Sequence, residues 1–99
     1  MKLEVFTVYD RQINAHMQPF FCRTKGEAIR SFTEAVNDPS KPFGKYSTDY
    51  SLMCLGEFDD GSGTFVCHDP VRVISANEVI EATSPTAEDP PPVLRRLPM

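Results

Sequence analysis

A short amphipathic segment with its own start and stop signals occupies residues 24–39 and constrains the fold more than any other part of the chain. Thr24 can cap a helix, and Glu27 stands three residues later, where its carboxylate can reach back to the cap in the capping-box pattern. Pro39 disfavours helical geometry at the preceding residue and cannot extend the hydrogen-bond ladder. Between these signals an apolar stripe recurs at helical spacing, formed by Ala28, Ile29, Phe32, Ala35 and Val36. The pattern predicts one helix from Lys25 to about Val36.

Strand-like stretches flank this helix on both sides. Residues 3–9 predict a central strand, residues 10–14 a hairpin loop, and residues 15–22 a returning strand that Pro19 makes an edge or bulged strand. After a polar loop over 37–48, the pattern predicts strands over 50–58 and 64–67 joined by a hairpin loop at 59–63. A short fifth strand over 71–74 and a short helix over 75–82 would complete the chain. The predicted fold class is α+β, an antiparallel sheet of four to five strands in the order β-β-α-β-β, covered by one main helix.

The proline distribution divides the chain into a folded unit and a tail. Ninety-nine residues support a single hydrophobic core, so we expect one domain over residues 1–82. Residues 83–99 hold five of the nine prolines, namely Pro85, Pro90, Pro91, Pro92 and Pro98. This composition predicts a disordered Pro-rich C-terminal tail. An alternative is that Val93, Leu94 and Leu97 pack on a neighbouring subunit.

The cysteines and the hydropathy pattern indicate a compartment. Cys22, Cys54 and Cys67 are odd in number and lie in apolar stretches, which fits reduced thiols better than a disulfide framework. The chain shows neither a signal-peptide pattern nor an apolar run of membrane-spanning length. We therefore expect a soluble intracellular protein that is not associated with a membrane.

The sequence lacks the patterns expected of an enzyme or a metal protein. His16 and His68 are the only histidines, and Cys67 and His68 are strand neighbours whose side chains point to opposite faces, which makes them poor catalytic partners. The short paired spacings of a zinc site are absent, as are phosphate-binding glycine loops. We therefore predict no catalytic residues, no metal site and no cofactor.

A nucleic-acid interface is the site that the residues suggest. The formal net charge of −4 argues against a strong, sequence-indifferent polyanion binder. Even so, cationic and aromatic side chains are interleaved between residues 21 and 46, as in single-strand binders. The candidate DNA-binding residues are Arg23, Lys25, Arg30, Lys41, Lys45, Phe21, Phe43 and Tyr46. Two alternatives stay open: an ordinary mixed surface with Phe43 and Tyr46 covering the core edge, and a protein-interaction module.

Five short segments of the chain carry a resemblance to a known family. In order, they are MKLEVFTVYD at 1–10, QPFF at 18–21, KGEAIRSF and AVNDP over 25–39, and GEFDD at 56–60. Over residues 1–82 the chain resembles the small non-structural protein of gokushovirus-type microviruses, which are single-stranded DNA bacteriophages. The tail carries none of the resemblance.

The resemblance implies a non-structural phage protein that binds single-stranded DNA during genome replication or packaging in the host bacterial cytoplasm. Because the chain is acidic, we expect a homo-oligomer that aligns several weak binding sites. The alternative function is a non-enzymatic adaptor that binds a phage or host replication protein through an edge strand or the C-terminal tail.

Overall fold

The fold is described here from a computed structural model, which covers residues 1–81; the predicted domain boundary at residue 82 and the predicted tail over 83–99 lie outside these residues. In chain order the elements are β1 (Lys2–Asp10), β2 (Ala15–His16), β3 (Phe20–Cys22), α1 (Lys25–Val36), β4 (Tyr50–Asp59), β5 (Thr64–Ser75) and α2 (Ala76–Val79). Neither described helix combines the length and the apolar character needed to cross a bilayer.

All strand pairs are antiparallel. The sheet has the order β2-β1-β4-β5, and β3 pairs with β1 as well. The predicted returning strand over 15–22 is therefore two short strands, β2 and β3, separated by a segment that contains Pro19. The two strands predicted over 64–67 and 71–74 are a single strand, β5, of 12 residues.

Irregular pairing bends the sheet. The register between β1 and β4 shifts after Val5, and the register between β4 and β5 shifts between Cys54 and Gly56. Cys54 pairs with Val71 whereas Gly56 pairs with Cys67, so three residues of β5 stand opposite one residue of β4. Such bulges bend a strand and increase its local twist. The sheet therefore curls into a small half-barrel.

The predicted fold class is wrong. Strands hold 44% of the described residues and helices only 20%, and no main helix covers the sheet. Helix α1 has 12 residues and is about 18 Å long at 1.5 Å per residue, whereas the 10-residue strand β4 spans about 33 Å. The helix therefore reaches only one half of a curled sheet.

The hydrophobic core lies in the half of the sheet that α1 contacts. Phe6 and Leu52 come from the sheet and are fully buried, and they join Cys22 of β3 and Ala76 of α2. Helix α1 contributes one face through Ala28, Phe32 and Val36. The other half of the sheet consists of residues 2–5, 56–59 and 64–67, and Val5 is its one strongly buried hydrophobic side chain, outside the core cluster.

Local signals position α1 as the sequence predicts. The helix spans Lys25–Val36, and the Thr24 hydroxyl accepts a 3.1 Å hydrogen bond from the Glu27 N–H. In a capping box the carboxylate of Glu27 would accept from the backbone N–H of the cap, Thr24. The observed donor is the backbone N–H of Arg23, one residue earlier, at 2.8 Å. At the other end, Asn37 donates to the Val79 carbonyl and accepts from the Glu81 N–H, which ties α2 to the end of α1.

Candidate nucleic-acid interface

Three phenylalanine rings form an exposed cluster on the face of the sheet that points away from α1 and the core. Phe21 of β3, Phe58 of β4 and Phe65 of β5 have ring centroids 5.5 Å (21–58), 6.2 Å (21–65) and 4.8 Å (58–65) apart. These separations are those of interacting aromatic pairs. Phe21 and Phe65 are nevertheless 45% and 54% exposed.

The pairing register explains why these rings meet. Phe58 lies directly opposite both Leu3 and Phe65, and Phe21 lies opposite Val5. Directly opposed residues of an antiparallel pair share a face, and so do residues two apart in one strand. Leu3, Val5, Phe21, Phe58 and Phe65 thus share one face, here called the aromatic face. The reverse side of the same half carries the polar residues Lys2, Glu4, Glu57 and Thr64 together with the exposed Val66.

The neighbouring pair Phe20 and Phe21 divides between the two faces. Phe20 packs against the core cluster, and its ring lies 6.0 Å from that of Phe6. Phe21 points the other way, as expected for adjacent residues of a strand. The structure thus places Phe21, one of the predicted DNA-binding residues, on an exposed surface of the sheet.

Two of the predicted cations, Arg23 and Arg30, line one hollow at the start of α1. The hollow has a volume of about 470 Å³ and also contacts Thr24, Gly26 and Glu27. Arg23 is partly neutralised, because its guanidinium Nη2 lies 3.3 Å from Glu27 Oε2. The backbone and side-chain hydrogen bonds from Arg23 favour the charged carboxylate and lower the pKa of Glu27. Arg23 follows Phe21 by two residues, so this hollow lies next to the aromatic face in the chain.

Lys25 lies in a different place from those arginines. Its side chain lines a separate hollow together with residues of β5. Arg23 precedes the Thr24 cap of α1, Lys25 is the first residue of the helix and Arg30 is the sixth; these three are called the helix-start cations below.

Lys41 and Lys45 lie beyond the other end of α1. They line a third hollow of about 350 Å³ that Asp38 and Glu81 also line. Lys41 pairs with Asp38 at 3.6 Å, and the Lys45 ammonium lies 5.4 Å from the Tyr46 ring centroid. Lys41 and Lys45 follow α1 in the chain, whereas Lys25 is its first residue and Arg30 lies about halfway along its length of about 18 Å. The predicted cations are thus distributed over three hollows.

Phe43 and Tyr46 have different surroundings. Phe43 packs against the core cluster, and its ring meets that of Tyr50 edge-on, with centroids 4.8 Å apart. Tyr46 is 49% exposed beside Lys45. Phe43 therefore covers the core edge, whereas Tyr46 remains available to a partner.

The described thiols and histidines do not assemble into a metal centre. Residues 1–81 contain no group of three or more His, Cys, Asp or Glu side chains that could hold an ion. Cys22, Cys54 and Cys67 are all free thiols, and burial is the main reason that the pKa of Cys22 is raised.

Sequence reasoning did not identify Phe58 and Phe65 as site residues. The available signal was the turn sequence around Asp60–Gly63: a hairpin in which Asp59 pairs with Thr64 places Phe58 and Phe65 directly opposite each other. The pairing of β1 with β4 sets Phe58 opposite Leu3, on the face that Phe21 shares.

Comparisons with known proteins identify one family. The sequence model of the family described as Phage ORF5 protein matches residues 3–79, which include nearly all of β1 and every later element through α2. None of the curated proteins and none of the solved structures matches the chain.

Proposed function

The chain belongs to the Phage ORF5 protein family, and from this premise we propose that it binds single-stranded DNA during phage genome replication or packaging. We further propose that the chain is the non-structural protein of a gokushovirus-type microvirus. In this proposal the protein is not an enzyme and acts in the host bacterial cytoplasm.

The aromatic face is the observation that supports this proposal. Proteins that bind single strands without sequence preference stack bases on exposed aromatic rings, and each base contributes about 1–3 kcal/mol by alanine substitution. Phe21 and Phe65 are half-exposed and in contact with Phe58 on an otherwise uncovered sheet. Such rings can stack on bases without any change in the fold.

Cations that follow the aromatic face in the chain can complement stacking electrostatically. Arg23 lies two residues beyond Phe21 and shares a hollow with Arg30, where DNA phosphates can pair with both guanidinium groups. The net charge of −4 makes each such contact weak. A homo-oligomer that presents several aromatic faces to one strand multiplies the effective affinity.

Fluorescence anisotropy with labelled oligothymidine at low salt tests the proposal. We expect Phe65→Ala to weaken binding by about 5- to 100-fold, corresponding to the loss of one stacked base. The matched control is Val66→Ala, because Val66 is the next residue of β5, is 69% exposed and lies on the opposite face. Far-UV circular dichroism of both variants checks that the fold is retained. Equal affinities of the two variants, or no binding by the wild type, would reject the proposal.

A second candidate function, the adaptor, is favoured by the position of β5. Within residues 1–81 this 12-residue strand pairs with β4 alone, so its outer edge is unpaired. An extended segment of a replication protein could add to such an edge through main-chain hydrogen bonds. Proline at a position of β5 whose N–H points to the outer edge, and not to β4, should reduce capture of a replication protein while leaving capture by oligothymidine unchanged. Undiminished capture of that protein would reject the adaptor.

A further inference from the structure

The edge strand β5 is the least covered element of the sheet. Its first nine residues, from Thr64 to Arg72, are all exposed. Within residues 1–81 it pairs with β4 alone, so the N–H and C=O groups along its outer edge have no strand partner. The exposed side chains include Phe65 at 54% and Val66 at 69%, which lie on opposite faces. An apolar edge of this kind is a template to which a further strand can add.

The two edges of the sheet differ in their protection. The other edge is divided into β2, of two residues, and β3, of three residues, and Pro19 lies between them. Short strands and proline are common devices against edge-to-edge pairing. Residues 64–68 of β5 contain no proline and no Asp, Glu, Lys or Arg. Pro70 and the bulge opposite Leu55 end this stretch, called the open edge below.

Charge favours a second copy of the chain as the strand that adds to the open edge. The net charge of −4 makes two copies repel over most of their surfaces, but the open edge carries no carboxylate. In an antiparallel pair centred on Val66, this residue lies opposite the same residue of the second copy. Phe65 then lies opposite Cys67, and Asp69, the nearest carboxylate, lies opposite Gly63. Like charges are therefore not opposed, and aromatic and β-branched residues occupy the centre, where cross-strand pairs are favourable.

The symmetry of such a pair determines where the two aromatic faces lie. Two identical antiparallel strands of one sheet are related by a two-fold axis perpendicular to the sheet, so both copies turn the same face to the same side. Both aromatic faces then lie on one side of a continuous sheet, and both α1 helices lie on the other. The two Phe65 residues become diagonal neighbours, about 7–8 Å apart and within reach of aromatic side chains. The pair thus covers part of the ring that is most exposed in the single chain.

We propose that the chain forms a two-fold symmetric dimer in which the open edge of β5 pairs antiparallel with the open edge of a second copy. The pairing rests on the edge of β5 alone. Its use for DNA rests on the proposed function, because the dimer presents two adjoining aromatic faces to one strand. A second copy also occupies the edge that the adaptor would use.

Sedimentation velocity of the full chain without DNA tests the dimer. We expect the wild type to dimerise reversibly at concentrations up to about 1 mM. Val66→Lys and Val66→Glu each place like charges opposite each other at the axis and should raise the dissociation constant at least about 10-fold. An equimolar mixture of the two variants sets a lysine opposite a glutamate and should restore dimerisation. Because this recovery requires folded chains, it separates loss of pairing from loss of the fold.

Ile13 supplies the matched control. It is also 69% exposed, and it lies in the turn between β1 and β2, at the other side of the sheet from β5. Ile13→Lys and Ile13→Glu make the same changes of charge and should dimerise like the wild type. A monomeric wild type at about 1 mM, equal effects at Val66 and Ile13, or no recovery in the mixture would overturn the dimer.

The dimer and the DNA-binding proposal can fail separately. Dimerisation that depends on Val66, without any binding of oligothymidine, would keep the dimer and remove the DNA site. Binding of oligothymidine that depends on Phe65, by a chain that is monomeric with and without DNA, would keep the aromatic face and remove the dimer.

Discussion

At the residue scale, Gly56 determines where the sheet can curl. Its φ of +145° is open to glycine and strained for other residues, and a Cβ built there would lie 2.2 Å from the Val66 carbonyl oxygen. The contact is with backbone of the neighbouring strand, so a rotamer change cannot relieve it. Glycine is therefore needed at this position of β4, where the backbone of β5 passes close to it beside the bulge.

We predict that Gly56→Ala destabilises the protein by roughly 2–5 kcal/mol, from the combined cost of the unfavourable φ and of displacing β5. The free energy of unfolding in urea measures this loss. Gly63→Ala is the matched control, since Gly63 also has positive φ, +74°, but nothing lies within 4 Å of its added Cβ. The control should cost only about 1–2 kcal/mol. Equal losses would show that backbone strain, and not the contact with β5, explains the requirement.

At the element scale, the helix was predictable and the curl of the sheet was not. The bounds of α1 follow from signals within 16 residues of sequence, namely the Thr24 cap, the apolar stripe and Pro39. The bulges depend on how β1, β4 and β5 pair with each other across the sheet. The alternation of apolar and polar residues along a single strand does not predict where such bulges occur. The prediction of a covering helix failed for this reason.

The residues of the candidate site likewise divide into those that local sequence predicts and those that only the pairing of strands brings together. Phe21 was identified from local sequence because one of two adjacent strand residues must face away from the core. Phe58 and Phe65 join it only through the pairing of three strands. Phe43, an aromatic residue in a polar loop, folds back onto the core edge beside Tyr50, which is the alternative that the sequence left open for it.

The start of α1 should respond to pH through Glu27. Hydrogen bonds from Arg23 lower the pKa of Glu27 from its ordinary 4.5, so the folded state favours the carboxylate. The stabilisation is present above the unfolded pKa and is lost as pH falls through the lower folded pKa. We expect Glu27→Gln to lower the urea midpoint at neutral pH and to match the wild type increasingly well in acid.

Glu34→Gln on the same helix is the control for this pH experiment, because it removes a carboxylate that makes no ion pair within the described residues. A constant difference between wild type and Glu27→Gln from neutral to strongly acidic pH would contradict the role of the Arg23 bonds.

At the scale of the whole molecule, an acidic chain holds its cations in separate groups. Arg23, Lys25 and Arg30 surround the start of α1, whereas Lys41 and Lys45 lie beyond its end beside Asp38 and Glu81. Along the chain, Arg23 is the cation nearest the aromatic face, two residues after Phe21, and Arg30 lines the same hollow as Arg23. A strand stacked on the aromatic face can pair first with these two arginines, whereas pairing with Lys41 and Lys45 needs a route past the end of α1.

Salt dependence of oligothymidine binding distinguishes these routes. Each phosphate neutralised on a single strand contributes about 0.7 to the slope of log affinity against log salt, so contact with Arg23 and Arg30 alone gives a slope of roughly −1.4 per protomer. Replacing Arg23 and Arg30 by glutamine should reduce the slope by about 1.4, since two phosphate contacts are lost. Replacing Lys41 and Lys45 by glutamine removes the same charge and should leave the slope unchanged. Equal reductions in both double variants would contradict a contact confined to the start of α1, because the strand would then have to reach cations at both ends of the helix.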